Sequence, residues 1–409
     1  MRFQEFITEQ KNTHMTHIED KVLYGGVDGT RQAIMALRSL RDMLGGEHDG
    51  TRLSLKWDGA PAVFAGIDPR DGGFFVAKKG IFNKSPKVYK TDADIDADTS
   101  GDLAVKLKLA LQYLPELGIK GVVQGDLLFT QSDLKTQRIK GQSYVTFHPN
   151  TILYAVPAST EMATQVKTAK IGIAWHTTYT GRSFESMRAS YGVDVTKFRK
   201  TNNVFSQDAM LKDMTKATMT KGETDEVNGY LTTAGRLFNK ISGTTLRTLE
   251  QNGTLAGIIE QYNNTYVRKG QVITNTRTHT AGLIRYIKQK YQKEIDSRKT
   301  TAGRATQQKK LDDIMKFFSS DNKKSLENMF ELQKVIVMAK LKLINILNRI
   351  SKFDTFLKTK KGYRTTDQEG YVAIDKLGGD AVKIVDRMEF SYANFSPDIL
   401  KGWDKPGRT

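Results

Sequence analysis

The sequence predicts an α+β fold in which antiparallel strands near both ends of the chain enclose a large helical insertion. Short strand-like runs separated by Asp, Gly and Pro turns fill residues 53–88, a texture typical of antiparallel strands. Beyond residue 181 the strand signal fades, and an apolar stripe over residues 332–356 predicts a long helix. Strand-like texture returns in residues 369–374 and 381–385. The helical stretch therefore interrupts one domain.

Four segments follow one another along the chain. Residues 1–50 are predicted to be an N-terminal helical segment, because their apolar residues recur at three- and four-residue spacing. Residues 51–180 hold the first part of the α+β core, including a helix that stops at Pro115. Residues 181–365 form the helical insertion. Residues 366–409 supply the last strands of the core.

Length and composition indicate a globular protein. The 409 residues leave room for two or three domains, or for one domain with a large insertion. Hydrophobic residues make up 38% and charged residues 26% of the chain, which is ordinary for folded domains. The chain has no cysteine, so disulfides, thiolate metal sites and cysteine nucleophiles are excluded. Without an apolar run of membrane-span length or a signal-peptide pattern, we expect a cytoplasmic protein that does not contact a membrane.

Positive charge is concentrated in the predicted insertion. The chain has 63 Lys and Arg against 45 Asp and Glu, a net charge of +18. Residues 266–364 contain 24 basic and 8 acidic residues and thus carry +16 of that charge. An excess of this size favours a polyanionic partner. We expect the insertion to bind nucleic acid, unless its basic side is only a solvated helical face. The candidate contacts are Lys309, Lys310, Lys323 and Lys324.

The sharpest chemical signal is the tetrapeptide Lys56-Trp57-Asp58-Gly59 at the end of a predicted strand. A lysine acts as a nucleophile when its neighbours and partial burial lower its pKa. A strand that ends in a glycine turn lets such an amine face a bound phosphate. Taken alone, the tetrapeptide also fits an ordinary Asp-Gly surface turn. Further motifs downstream favour the chemical interpretation.

The tetrapeptide resembles the first motif of the covalent nucleotidyltransferases, the superfamily of ATP-dependent DNA ligases, RNA ligases and GTP-dependent capping enzymes. Residues 75–80 resemble the strand that ends in a basic residue, here Lys79, lying over the sugar and phosphates. Residues 124–127 resemble the motif whose acid binds the ribose. That acid is Asp126 here, where glutamate is usual.

Two motifs near the end of the chain extend the resemblance. Residues 369–372 resemble the motif in which a glutamate, here Glu369, positions a divalent metal. Residues 382–385 resemble the last motif, in which Lys383 would contact the α-phosphate. Where the family commonly has two lysines, this motif has one. Additional charge for the leaving pyrophosphate would then come from Lys79, Lys376 or Arg387.

The resemblance also assigns roles to individual residues. The aromatic ring that stacks on the purine would be Trp175, with Phe147 and Tyr154 as alternatives. The catalytic residues would be Lys56, Asp58, Lys79, Glu369 and Lys383, with Glu369 as the metal ligand. The nucleotide contacts would be Leu55, Lys56, Gly59, Lys79, Asp126, Trp175, Glu369 and Lys383.

The activity that the resemblance implies is that of an ATP-dependent polynucleotide ligase using Mg²⁺ or Mn²⁺. Such an enzyme forms a lysyl-AMP and joins a 5′-phosphate to a 3′-hydroxyl in a nicked or splinted duplex. About 25 residues follow Lys383, too few for the β-barrel that DNA ligases and capping enzymes place there. The expected fold is therefore a nucleotidyltransferase core without a C-terminal β-barrel, and RNA joining is favoured.

Several alternatives stay open at this stage. They are a DNA nick ligase, a capping guanylyltransferase, and a non-catalytic nucleic-acid-binding protein on the same fold. The chain as a whole also resembles uncharacterised proteins of large tailed phages, which share the motifs at residues 56–62, 176–181 and 382–387. That resemblance implies a bacteriophage protein acting in the cytoplasm of a bacterial host. The oligomeric state is left open.

Overall fold

A computed structural model describes residues 16–47, 52–212, 215–350, 353–374 and 381–403. Within these ranges the chain forms three sheets, whose strand pairs are antiparallel with one exception, and a bundle of helices. The predicted α+β class with antiparallel sheets is confirmed. After the last strand the described residues contain one helix and no further strand of a sheet. None of the described helices combines the length and the apolar character needed to cross a bilayer.

Fourteen strands and eleven α-helices of seven residues or more lie in the described residues. The strands are β1 (Arg52–Lys56), β2 (Ala62–Ile67), β3 (Phe74–Ala77), β4 (Val122–Thr130), β5 (Lys135–Ile139), β6 (Gln142–Phe147), β7 (Ile152–Pro157), β8 (Ile171–Thr180), β9 (Arg188–Tyr191), β10 (Val204–Asp208), β11 (Asp354–Thr359), β12 (Gly362–Thr365), β13 (Gly370–Ile374) and β14 (Ala381–Ile384). The helices are α1 (Gly26–Leu44), α2 (Asp92–Asp98), α3 (Gly101–Tyr113), α4 (Glu161–Thr168), α5 (Lys221–Phe238), α6 (Gly243–Gln251), α7 (Gly253–Arg268), α8 (Thr276–Ser297), α9 (Thr301–Lys316), α10 (Ser320–Leu347) and α11 (Arg387–Phe395). A short helix, Lys21–Tyr24, precedes α1.

Sheet A joins the beginning of the core to its end. Its three strands lie in the order β1-β13-β14, all antiparallel. Alternate residues of a strand point to opposite faces of the sheet. One face carries Leu53, Tyr371 and Ile384, which pack into the same hydrophobic core as α1 and the helices from α5 to α10. The other face, which carries Lys56 and Lys383, turns away from this core.

Sheet B is the largest sheet, in the order β10-β8-β4-β2-β3, with β9 paired to β8. The β10–β8 pair is parallel, and the other pairs are antiparallel. One face buries Val63, Val123 and Ile173 against α3. The opposite face carries Phe64 and Tyr179 in a separate cluster. The turn that contains Asp58 and Gly59 leads directly from β1 of sheet A into β2 of this sheet.

Sheet C lies in the order β12-β11-β7-β6-β5 and is antiparallel throughout. Its apolar face shares a core with β4, β8 and α4. Trp57 lies in that core, with its ring centroid 5.3 Å from that of Tyr154 and 5.2 Å from that of Phe353. Trp57 therefore anchors the chain immediately after Lys56 against sheet C.

The helical insertion is shorter than the predicted range 181–365. Helices α5 to α10 occupy residues 221–347, whereas β9 and β10 precede them and β11 and β12 follow them. β9, β10 and β12 lie at sheet edges. Edge strands pair on one side only and are often short and polar. They therefore lack the apolar run from which a strand is predicted. The helix that the sequence predicts to stop at Pro115 is α3, which ends at Tyr113.

Candidate functional site

Lys56 and Glu369 form an ion pair at the end of sheet A. Lys56 is the last residue of β1 and lies opposite Gly370, so Glu369 immediately precedes the paired position. The Lys56 Nζ contacts Glu369 Oε1. The Lys56 side chain is 27% exposed, whereas that of Glu369 is 7% exposed. The lysine amine can thus be reached from solvent, and its carboxylate partner lies beneath it.

Lys383 lies on the same face of the sheet. It is paired with Val372 of β13, so its side chain projects on the side that carries Lys56. Burial and the positive charge of Lys56 lower the pKa of Lys383. His17 forms an isolated parallel β-bridge with Lys383. Burial lowers the pKa of His17 to about 3. Sequence reasoning missed His17 as a neighbour of this site, because residues this far apart in the chain carry no shared local pattern.

The burial of Glu369 shapes the electrostatics of the site. Loss of water raises the pKa of Glu369 to about 7, although the Lys56 charge opposes this shift. The carboxylates of Asp58 and Asp126 raise the same pKa further, which places both acids within electrostatic range. Among the described residues, no hydrogen-bond donor reaches Glu369 Oε2, which is buried. A buried oxygen without a partner costs free energy unless a ligand or cation satisfies it.

Asp58 is held by the segment that leads into β7. Its Oδ2 accepts hydrogen bonds from Thr151 N, Thr151 Oγ1 and Ile152 N at 2.6–2.7 Å, and its Oδ1 accepts one from Asn150 Nδ2 at 2.6 Å. The Asp58 N–H donates to Tyr154 Oη at 2.8 Å. Both carboxylate oxygens are therefore engaged within the protein. These contacts position the turn that follows Lys56, and the catalytic role of Asp58 stays a prediction.

Gly59 brings this turn against Asp126 of β4. A Cβ atom at Gly59 would lie 2.6 Å from the Asp126 Cβ and 2.9 Å from the Leu127 carbonyl oxygen, so only glycine allows this approach. The Asp126 Oδ2 lies 3.7 Å from His176 Nε2, and both side chains are partly exposed. Asp126 and His176 therefore form a second polar group beside the turn that follows Lys56.

Lys79 follows β3 at the same end of sheet B. Phe64 of β2 is opposite Ala77 of β3, and Ala62 is opposite Asp126 of β4. The turn after Ala77 therefore begins beside Ala62, across β2 from Asp126. Lys79 lies in this turn with an exposed side chain. Strand register thus places the start of this turn on the other side of β2 from Asp126.

The candidate site joins residues from distant parts of the chain. Comparison with known proteins identifies the family of the whole chain. A family of unknown function, DUF6267, matches residues 12–398. The chain belongs to the DUF6267 family. No curated protein and no solved structure matches it.

The aromatic residues predicted to stack on a purine lie in the cores of this DUF6267 protein. Trp175 is fully buried, and its Nε1 donates to Ser206 Oγ at 3.0 Å. Phe147 and Tyr154 are also buried, and their rings stack on each other at 5.3 Å. No face of these three rings is open to a base. The prediction for Trp175 is therefore wrong, because apolar strands attract aromatic residues for packing as readily as for binding.

Two further sequence assignments are changed by the structure. Leu55 alternates with Lys56 and packs towards the cores, while its N–H donates to the Ala209 carbonyl at 2.7 Å. Its side chain therefore lies on the face of sheet A opposite to that of Lys56. Arg387 is engaged by Asp20 at 2.9 Å and by Glu260 at 3.6 Å, so its charge is neutralised inside the protein. Lys376 lies outside the described residues.

The basic helices of the DUF6267 chain divide into exposed and buried charges. Lys309, Lys310, Lys323 and Lys324 are exposed on α9 and α10, as a nucleic-acid contact requires. Lys324 lies 3.7 Å from Glu327. Lys340 is fully buried and its Nζ donates to Glu19 at 2.8 Å and 2.9 Å. Part of the charge counted in the sequence therefore stabilises the packing of α10 against the N-terminal segment.

Replacing Asp58 by Ala should destabilise the fold by about 3 kcal/mol, since four donors would lose their buried acceptor. Asp58→Asn should lower the unfolding free energy by less, because the amide oxygen of asparagine can still accept some of these hydrogen bonds. Urea unfolding measures both effects, with the exposed Asp225→Ala as control. An unchanged unfolding free energy in Asp58→Ala would show that these hydrogen bonds do not stabilise the fold.

Proposed function

We propose that this protein is a covalent nucleotidyltransferase that acts as an ATP-dependent polynucleotide ligase, with RNA strands as the favoured substrate. The observation that carries the proposal is the meeting of Lys56, Glu369 and Lys383 at one face of sheet A. The first two are separated by 313 positions in the sequence. A partly exposed amine beside a buried acid and a second lysine suits attack on a phosphate.

Lys56 is the nucleophile of the proposed first step. Its Nζ lone pair attacks the α-phosphorus of ATP, a phosphorus–nitrogen bond forms, and the bond to the leaving pyrophosphate breaks. The amine must first lose a proton, and Glu369 is in contact to accept it. Without a bound cation, burial raises the pKa of Glu369 to about 7, which favours proton uptake by this carboxylate. Lys383 and Lys79 supply positive charge for the phosphates.

Glu369 also fits the expected metal ligand. Its Oε1 is engaged by Lys56, whereas its buried Oε2 has no hydrogen-bond partner among the described residues. Magnesium is commonly held by one or two carboxylates together with substrate phosphates, so one free carboxylate oxygen suffices. Bound there, Mg²⁺ or Mn²⁺ would neutralise charge on the phosphates.

In the later steps of the proposed reaction, AMP passes from Lys56 to a 5′-phosphate end. A 3′-hydroxyl then displaces AMP and joins the strands. These steps need a surface that holds a nucleic acid, and the exposed lysines of α9 and α10 provide one. The core would thus carry out the chemistry, and the basic helices would bind the nucleic acid.

A joining assay tests the proposal directly. The protein is incubated with ATP, Mg²⁺ and a panel of 5′-labelled nicked substrates made of RNA, DNA or both. We expect the label to become resistant to phosphatase, fastest with RNA at the nick. Faster sealing of nicked DNA would establish the DNA ligase alternative. A protein that binds every substrate but neither labels itself nor joins any of them would be the non-catalytic alternative.

Reversing the charge of Lys309, Lys310, Lys323 and Lys324 to glutamate should weaken duplex binding and flatten its salt dependence. The logarithm of the affinity falls with the logarithm of the salt concentration, with a slope of about −0.9 for each phosphate contact. Each contact that is lost should therefore make this slope shallower by about 0.9. Self-labelling with ATP should stay intact, because it needs only the core. Fluorescence anisotropy at several salt concentrations measures the slope.

The matched control reverses the same number of charges outside helices α5 to α10. Lys120, Lys135, Lys167 and Lys200 are exposed lysines of the strand region. Their reversal changes the net charge equally and should leave the salt slope near that of the wild type. Equal effects of the two variants would show that net charge alone attracts the duplex.

A further inference from the structure

Two exposed aromatic rings on α11 each lie beside an arginine. Tyr392 is 38% exposed and Phe395 is 67% exposed. The Arg364 Cζ lies 4.5 Å from the Tyr392 ring centroid, and the Arg268 Cζ lies 5.9 Å from that of Phe395. These four residues are called the C-terminal aromatic surface below. Nothing in the proposed chemistry at Lys56 uses them.

The two rings are spaced as neighbours on one helix. Residues three positions apart on an α-helix lie about 5–6 Å from each other at Cβ. The arginines come from outside α11, since Arg268 ends α7 and Arg364 belongs to β12. Arg364 is fixed by Glu389 at 2.9 Å. Three elements thus converge to hold cations at these rings while leaving much of each ring open.

The border of this surface is basic. The turn between β11 and β12 contains Lys360 and Lys361, both exposed. The Lys360 N–H donates to the Asp398 carbonyl at 3.1 Å, which holds this turn beside the end of α11. Across residues 354–365 there are four basic residues and one acidic residue. Flat rings flanked by cations complement a strand of stacked bases and phosphates.

We propose that the C-terminal aromatic surface binds an unpaired nucleic-acid strand by stacking bases on Tyr392 and Phe395. Bases within a duplex already stack on their neighbours, so open ring faces select unpaired ones. An apolar protein partner would instead have to remove water from Arg268, Arg364 and the two lysines, which is costly without paired acids. The charge around the rings therefore favours nucleic acid.

The position of this surface relates it to the candidate site. Arg364 and Glu369 are five residues apart, so their Cα atoms are separated by at most about 18 Å. The segment between them forms one wall of a cavity of about 390 Å³. Lys140 closes another side, and its Nζ donates to Thr365 Oγ1 at 2.6 Å. The aromatic surface and Glu369 thus lie at the two ends of one short segment.

The test measures binding of fluorescein-labelled 20-nucleotide oligouridylate and oligothymidylate by anisotropy. Tyr392→Ala with Phe395→Ala should weaken binding at least about tenfold, since stacking of one base contributes about 5- to 140-fold. Tyr392→Leu with Phe395→Leu keeps an apolar surface but removes the rings, and should lose affinity similarly. Thermal melting checks that each variant is folded.

Control variants and substrates make the outcome decisive. Met35→Ala with Val105→Ala removes exposed apolar groups elsewhere and should bind as the wild type does. Affinity for a blunt duplex should change less than twofold in the ring variants. Unchanged oligonucleotide affinity in the leucine variant would overturn the stacking proposal. A change of mass by light scattering without a change of affinity would instead assign the surface to contact between two copies.

Strand binding at the aromatic surface and the ligase activity are tested by different measurements, so either proposal can be wrong while the other holds. Strand binding needs no ATP, so the wild type should bind oligouridylate with the same affinity in the presence and absence of ATP. If the protein never labels itself with ATP yet loses strand affinity in the ring variants, the aromatic surface stands while the ligase proposal falls. If it joins strands and the ring variants bind normally, the reverse holds.

Discussion

Replacing Lys56 by Arg should abolish covalent labelling of the protein by α-labelled ATP. Removal of the nucleophile should lower the labelling rate by at least about 10³-fold. The wild-type label should be acid-labile and base-stable, as expected for a phosphorus–nitrogen bond. Denaturing gel electrophoresis after incubation with ATP and Mg²⁺ measures it. A preference for GTP over ATP would support the capping alternative.

The choice of arginine keeps this experiment interpretable. Lys56→Ala would leave the buried Glu369 carboxylate without its ion-pair partner, and loss of such a partner can destabilise a protein by several kcal/mol. Arginine retains the positive charge but is effectively always protonated and does not attack phosphorus. The exposed Lys120→Ala serves as control. Labelling of Lys56→Arg at the wild-type rate would show that Lys56 is not the nucleophile.

Sequence reasoning located the parts of the site that local pattern encodes. Lys56 and Glu369 were assigned from motifs, and strand pairing brings them into contact. The α+β class followed from the change between two-residue and helical periodicity, which backbone geometry imposes directly. Lys383 was placed by its strand context, and the register of β13 and β14 sets it on the same face.

Other features depend on long-range contacts that no local pattern carries. The hydrogen bonds to Asp58 come from Asn150, Thr151 and Ile152, more than ninety residues away. A single sequence offers no reason to pair these positions. Trp175 was misassigned because burial and ligand stacking favour the same residue types. Only the tertiary structure shows that Trp175 packs in a core.

Glu369→Gln should lower the rate of self-labelling by about 10²-fold or more, comparable to the loss of one strong electrostatic contact of about 2.7 kcal/mol. Glutamine keeps the size of the side chain but removes the charge that contacts Lys56. Single-turnover labelling over a range of Mg²⁺ concentrations measures the change. A near-normal rate at ordinary Mg²⁺ would remove Glu369 from the reaction.

Glu369→Gln should lower the rate of self-labelling but raise the stability of the protein above about pH 4.5. Because burial raises the pKa of Glu369 from 4.5 to about 7, the folded state binds one more proton than the unfolded state between these pH values. The free energy of unfolding then falls as pH rises, by about 3 kcal/mol at 1.36 kcal/mol per pKa unit. Glutamine does not titrate, so its advantage over wild type should grow from pH 4.5 to 7 and then level off. Urea unfolding at several pH values measures the difference. A difference that runs the other way would mean that Lys56 stabilises the ionised carboxylate, and that Glu369 is a structural ion-pair residue rather than a strained functional one.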